Sequence, residues 1–458
     1  MRFQKKLCVL AIASLFPLAS TLAQTPSDTR KEIDELKAQL KMLQEKLEAL
    51  SNATEPAPLV QQVNRLEQKI ELQQTASEAS GFSGMKVNGV IEAAYRYDDA
   101  GKNHDFAASS GYTDVKPGMA MVQITKESQD GQGVDWTLRL LPGGDYLVHE
   151  ASVSIPLNKE NRIIGGLIPD FQGYEMPFPN ANSTLGNQLI THNALYDLAG
   201  AAFYTGLGMS HTFDSGKYAF KWLVGNVDKG SDTPTDYKGD STYGKYTVAT
   251  SQDLSPLADS KNSVALAYRL DYFPDETKYV GVSGLHGSSN RNFNIIAVDA
   301  GVTRGDWQVN GQITVGEMPR VAANGGTAQW TGLSGFLSYK IVPRLQLLAR
   351  ADYIQNSKNG GGTYVDYGGA GIGGVLNGLG PERGDSLGGG IALDDNGYAT
   401  TGANLTRLSL GTNYQINANT QWKTEYRLDQ STGYNFLLDD GTYSKTKNSL
   451  GTSVVLSS

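Results

Sequence analysis

One cysteine, Cys8, in 458 residues leaves no disulfide framework and no thiolate metal cluster to argue. Long hydrophobic runs are lacking too, since nothing after residue 24 offers the ~20 apolar residues of a helical membrane span. Positive charge is in deficit, 39 Lys and Arg against 47 Asp and Glu, for a net charge of −8. That balance argues against nucleic acid as a partner. The five histidines, His104, His149, His192, His211 and His286, show no HExxH or i, i+4 pairing, so no metal site is expected. Ser210-His211 has no identifiable third member for nucleophilic catalysis. Gly369–Gly374 has the spacing of a dinucleotide fingerprint but lies in a Gly-rich loop, outside the strand–helix setting such a motif needs. Arg304-Gly305-Asp306 reads as a tight turn. No enzymatic chemistry and no cofactor are expected.

What is present begins with an export signal. Lys5 and Lys6 precede an apolar run from Leu7 to Leu18 and a small-residue site at Thr21-Leu22-Ala23, which predicts a signal peptide over 1–23. Its removal takes Arg2, Lys5 and Lys6 with it and moves the charge from −8 to −11. Residues 24–80 form a second part. Ile33, Leu36, Leu40, Leu43, Leu47 and Leu50 are spaced 3, 4, 3, 4, 3, the seam of a coiled coil that self-associates. The alternative is a single amphipathic helix lying on the rest of the chain.

Residues 81–458 are rich in the chain's 53 glycines and 23 tyrosines and alternate with period 2. In 421–429, Gln421, Lys423, Glu425, Arg427 and Asp429 face one way, and Trp422, Thr424, Tyr426 and Leu428 the other. The pattern predicts strands over 86–97, 118–127, 134–141, 146–157, 161–168, 197–211, 217–227, 262–272, 278–287, 292–303, 306–316, 330–342, 345–355, 403–416, 420–430 and 448–456. Short and long connections alternate by parity, as in a barrel with turns on one side and loops on the other. A hairpin within 228–261 raises the count to 18. The fold class is therefore all-β, a 16-stranded (16–18) antiparallel transmembrane β-barrel behind an α-helical coiled coil. Tyr95, Tyr97, Tyr146, Tyr272, Phe273, Trp307, Trp330, Tyr339, Tyr353 and Tyr414 fall near strand ends, as interfacial girdles do.

Ten basic and eight acidic side chains fall on the polar face, among them Lys86, Glu92, Lys221, Lys423, Glu425 and Arg427 as lining residues. A mixed wall fits selection by field and width. The third long connection, Pro169–Tyr196, has 28 residues, three prolines and the acids Asp170 and Glu175. Connections of this length are uncommon unless functional. Folded inward it narrows a pore, with Asp170 and Glu175 facing Arg96, Arg139, Arg269 and Arg350. Folded outward it is a surface lid or subunit latch.

The order of parts resembles Gram-negative porins that carry a periplasmic coiled coil ahead of a 16-stranded barrel, and most resembles OmpL-like β-barrel porins of proteobacteria. The stretches that carry the likeness are KAQLKMLQEKLEAL, GMKVNGVIEAAYRY and GGLIPDFQGYE. Pro169-Asp170-Phe171-Gln172-Gly173 is similar to the Pro-acid-Phe-Gly-Gly stretch of a constriction loop, with Gln172 at a usual glycine. The chain departs from such barrels at its end, Val454-Val455-Leu456-Ser457-Ser458, where an aromatic residue is common. The resemblance implies a trimer in the outer membrane, with its helix in the periplasm, contacting lipid and lipopolysaccharide and passing small hydrophilic solutes. A structural barrel that tethers the envelope through its coiled coil, or a channel selective for an anion such as phosphate, stands as the alternative.

Overall fold

The structure, a computed structural model, describes residues 84–100, 103–107, 119–128, 133–142, 147–175, 187–199, 203–227, 264–288, 293–318, 327–358, 382, 384–386 and 400–458, together with Lys37, Ala38 and Lys41. It divides into two units, residues 1–87 with 124–135, and residues 88–123 with 136–458. In the first, the Glu127 N–H donates to the Gly84 carbonyl (3.1 Å), and Lys86 pairs with Glu127 at 2.6 Å. The Ser128 N–H donates to Asp135 at 2.7 Å. Lys37, Ala38 and Lys41 are helical; the heptad seam itself, Ile33 to Leu50, and the signal segment lie outside the described residues.

The strands are β1 (Met85–Asp98), β2 (Asn103–Ala107), β3 (Met119–Lys126), β4 (Asp135–Leu140), β5 (Val148–Pro156), β6 (Asn161–Pro169) and β7 (Phe203–Phe213). There follow β8 (Tyr218–Val227), β9 (Val264–Asp275), β10 (Lys278–Ser288), β11 (Phe293–Arg304), β12 (Trp307–Met318) and β13 (Ala328–Val342). The last are β14 (Leu345–Gln355), β15 (Leu405–Asn417), β16 (Thr420–Ser431), β17 (Phe436–Leu437), β18 (Tyr443–Ser444) and β19 (Thr446–Ser457). From β3 to β16 each strand is hydrogen-bonded to its sequence neighbours, and β16 continues to β19. β19 pairs antiparallel with β1 from Val90↔Ser457 to Asp98↔Ser449, and β1 also pairs with β3, so the sheet closes on itself. Among the described residues the ring is 16 strands, β1, β3–β16 and β19. β2 adds a short pairing to the Ala94–Asp98 end of β1, and β17–β18 is a separate hairpin. Closure leaves no edge whose backbone groups lack partners, which a span through lipid requires. The 18-strand variant rests on 228–261, outside the described residues.

Burial alternates along the strands and assigns the faces. Leu207 and Leu410 are 67% and 60% exposed, and Val309, Leu347 and Ile313 share their outward face. The opposite parity carries Glu92, Arg350, Arg407, Lys423 and Arg427, all buried. A water-soluble sheet buries its apolar face; here the arrangement is inverted. Aromatics flank the short turns: the exposed Tyr218 stacks on the half-buried Tyr272 at 4.9 Å across β8–β9, and the exposed Trp307 on the half-buried Tyr339 at 4.2 Å across β12–β13. Trp330 departs from the expected girdle. It shares the inward parity of Gly332 and Ser334 and is buried in an apolar cluster with Leu195, Ile354 and Phe436. The expected strand 197–211 also begins later, because a helix, Ala194–Ala199, occupies its start. The Asn193 side chain accepts from the Tyr196 N–H at 2.7 Å, an N-cap that favours the helical turn.

Candidate functional site

The third long connection leaves β6 at Pro169 and runs against the buried polar face of the second unit. Its first described stretch, 170–175, is held by β9, β12 and β13. Arg269 donates to the carbonyls of Phe171 (3.3 Å) and Gly173 (3.1 Å) while paired with Asp271 and Asp299. The Tyr174 hydroxyl meets Ser334 at 2.6 Å. Burial, with Glu175 and Asp352 nearby, keeps that phenol protonated well above its usual range.

The second stretch, 187–194, has its backbone bound by charged side chains. Lys423 donates to the carbonyls of Asn187 (2.7 Å) and Leu189 (3.2 Å). Glu425 accepts from the N–H groups of Ile190 and Thr191, both at 2.8 Å, and from the Thr191 hydroxyl at 2.7 Å. Arg350 donates to the carbonyls of Thr191 (2.9 Å) and His192 (2.5 Å), and Arg407 to His192 (3.2 Å). Asp352 accepts from the Ala194 N–H at 3.0 Å. A buried charge needs a partner and hydrogen bonds, and this irregular backbone supplies both. Apolar contacts complete the fit. On β15, a Cβ added to Gly411 would stand 2.6 Å from the Leu189 side chain, and on β13 one added to Gly332 would collide with Leu195. These two wall glycines leave sockets for the segment.

The expected constriction set is thus only partly gathered. Glu175 lies 3.8 Å from Arg350, which also pairs with Asp352 at 3.3 Å. Asp170 is half-buried and accepts from the Tyr204 hydroxyl and, at 3.0 Å, from the Gln172 N–H. Loss of water pushes its pKa up to about 6, against the opposing pull of those bonds and of Lys221. The Lys221 ammonium sits 4.4 Å from the Phe171 ring centre. Arg96 pairs with Asp98 at 3.0 Å and Arg139 with Glu150 at 2.9 Å, each on its own wall. Of the lining residues, Glu92 lies 3.9 Å from Lys423 and Arg427 3.0 Å from Asp429. Lys86 stands apart: it belongs to the first unit and is half exposed beside Glu127.

Arg407, Asp299, the two socket glycines and the inward apolar patch were not singled out as site residues by alternation. In Leu405–Leu410 leucines fall on both faces, with Leu405 buried and Leu408 and Leu410 exposed, so polarity alone does not assign Arg407 inward. The signal available for the helix was the Asn193 cap.

Solved structures share this fold. The anion-selective porin from Comamonas acidovorans aligns over 82% of this chain and 99% of its own, at 8% identity and a TM-score of 0.50. The outer membrane channel DcaP of Acinetobacter baumannii covers 82% and 97% at 10% identity and a TM-score of 0.49. OmpT, expressed in the outer membrane of Vibrio cholerae, covers 82% and 97% at 11% identity and a TM-score of 0.48. At these identities the likeness concerns the fold alone. No curated protein sequence matches the chain. A family model does, over residues 48–458, and on that match the chain belongs to the family described as "Protein of unknown function (DUF3138)".

Proposed function

We propose that the protein is an outer-membrane porin, a water-filled channel for passive diffusion of small hydrophilic solutes, narrowed by the connection 169–196 folded into its lumen. The reading rests on one observation above the others: a closed ring of strands turns large apolar side chains outward and charged ones inward, and the third connection is fastened to the inward charges. Sixteen strands enclose an aqueous lumen too wide to sieve small solutes unless something fills part of it. In this reading Asp170, Glu175, Arg269 and Arg350 build the narrowing, and Arg96 and Arg139 line the passage beside it. The signal segment 1–23 is removed on export. The heptads of 28–50 hold a trimer together in the periplasm, as in the OmpL-like porins the sequence resembles, and the outward face meets lipid and lipopolysaccharide.

A second reading, a structural barrel that tethers the envelope, draws on the same fastening, a clamp of buried charges on the backbone of 187–194. The apolar cluster of Leu195, Tyr204, Leu223, Leu285, Ile354 and Phe436 fills part of the interior. Conductance of the unaltered protein in planar bilayers separates the two, and shortening 172–190 tests the narrowing. In the porin reading single-channel conductance rises and larger solutes enter proteoliposomes; an unchanged conductance and size limit removes the third connection from the permeation path.

A further inference from the structure

Resting on the channel reading above, we infer that the lumen has a second constriction, apolar and nearer the long connections than the clamp, and that the hairpin β17–β18 is its movable part. An arc of the inward face departs from the polar rule. Leu223, Ala267, Leu285 and Ile295 stand directly opposite one another across β8, β9, β10 and β11, all inward and buried. Gly316 and Trp330 continue the row on β12 and β13, with the indole lying where a Gly316 Cβ would stand. One inward position further, Ile354 and Leu405 face each other on β14 and β15, again buried. The arc thus spans eight of the 16 strands of the ring. Ile354 is four residues beyond Arg350 on β14, roughly 13 Å toward the long connections at ~3.3 Å per residue.

An apolar arc facing water is unfavourable, so its burial depends on what covers it. Two pieces of chain do so, and neither is a strand of the ring. Helix Ala194–Ala199 contributes Leu195, seated over Gly332, and is tied to the clamp where Asp352 accepts from the Ala194 N–H. Hairpin β17–β18 contributes Phe436, 0% exposed in the same cluster, with Leu438 packed against it. The hairpin forms a sheet of its own, and at its base the Ser431 N–H donates to the Lys445 carbonyl at 2.8 Å. Withdrawing Phe436 from the arc therefore breaks no ladder of the ring. With Phe436 seated, the passage at this level is narrowed by apolar side chains, a lining that water and ions cross reluctantly. With Phe436 withdrawn, the passage widens.

Single-channel recording in planar bilayers tests this. The unaltered protein should show two conductance levels, the lower with Phe436 seated and the higher with it withdrawn. Phe436→Ala is expected to lower the seated-to-withdrawn ratio about a hundredfold, the lower end of what emptying a buried phenylalanine site does. Phe436→Leu, which refills much of the socket and is gentler on folding, should move the ratio the same way by a smaller factor. Leu437→Ala, the next residue along and 42% exposed, should record like the unaltered protein. Heat-modifiable Phe436 variants that keep the levels and ratio of the unaltered protein overturn the second constriction while the channel reading stands, and so does a Leu437→Ala effect as large as theirs. A folded, heat-modifiable barrel that conducts in no variant overturns the channel reading itself.

Discussion

Replacing Glu425 by alanine should release the docked segment while leaving the barrel intact. The carboxylate accepts three hydrogen bonds from Ile190 and Thr191 at 2.7–2.8 Å and lies 4.0 Å from Arg350. Hydrogen bonds to a charged group contribute about 1.5–3 kcal/mol each, and a buried donor left unmatched costs a further ~1–3 kcal/mol. Loss of one partner from a buried charged cluster costs about 3–5 kcal/mol in total. Taking ~4 kcal/mol, the docked-to-released ratio falls about a thousandfold at ~1.4 kcal/mol per tenfold. The strands do not depend on this carboxylate, since β16 keeps its ladders to β15 and β19. The assay pairs heat-modifiability on gels, which reports the barrel, with single-channel conductance and noise, which report the segment. Larger and noisier steps from a heat-modifiable band are expected, and Gly332→Leu should act the same way by occupying the Leu195 socket. Unchanged conductance in both variants would refute the clamp as the element that holds the segment in place.

Asp170 gives a pH dependence. Its carboxyl is raised to about 6 from an ordinary 3.8, so the folded state binds the proton more tightly than the unfolded one. Its contribution is full below about pH 4 and is lost as pH rises through 6, a swing of about 3 kcal/mol. Denaturant midpoints between pH 4 and 7.5 should show the loss, and Asp170→Asn should flatten it. On the outward face, Leu410→Arg puts a charge at a 60%-exposed position of β15 and should cost about 2–4 kcal/mol in bilayers, read from urea titration of the folded protein in lipid vesicles. Leu40→Asp with Leu47→Asp buries charge in the heptad seam and should dissolve oligomers on crosslinking while sparing the barrel; unchanged oligomers would exclude the helix as the assembly element.

Strands were the legible part of this chain, because period-2 polarity and the parity of connection lengths act at every turn of the barrel. The expected 345–355 coincides with β14, and 161–168, 278–287 and 420–430 fall within a residue of β6, β10 and β16. The site was harder to read for one physical reason. Polar-in and apolar-out holds for a wall facing water, but where the wall receives a protein segment it carries Phe336, Leu348, Ile354 and Leu405 inward beside glycines. Trp330 therefore reads as a girdle residue from its place near a strand end, although it packs with the docked helix. Likewise the charges of Arg269 and Arg350 are visible in the sequence, but their engagement with the carbonyls of Gly173 and Thr191 is not. Those contacts join residues nearly a hundred or more positions apart.

The most direct measurement is the conductance of the unaltered, heat-modifiable protein in planar lipid bilayers. An open channel should give discrete, ohmic steps and pass small hydrophilic solutes in liposome swelling. A folded barrel that inserts into the bilayer and passes neither ions nor solutes would exclude the channel and leave the tethering barrel as the reading that stands.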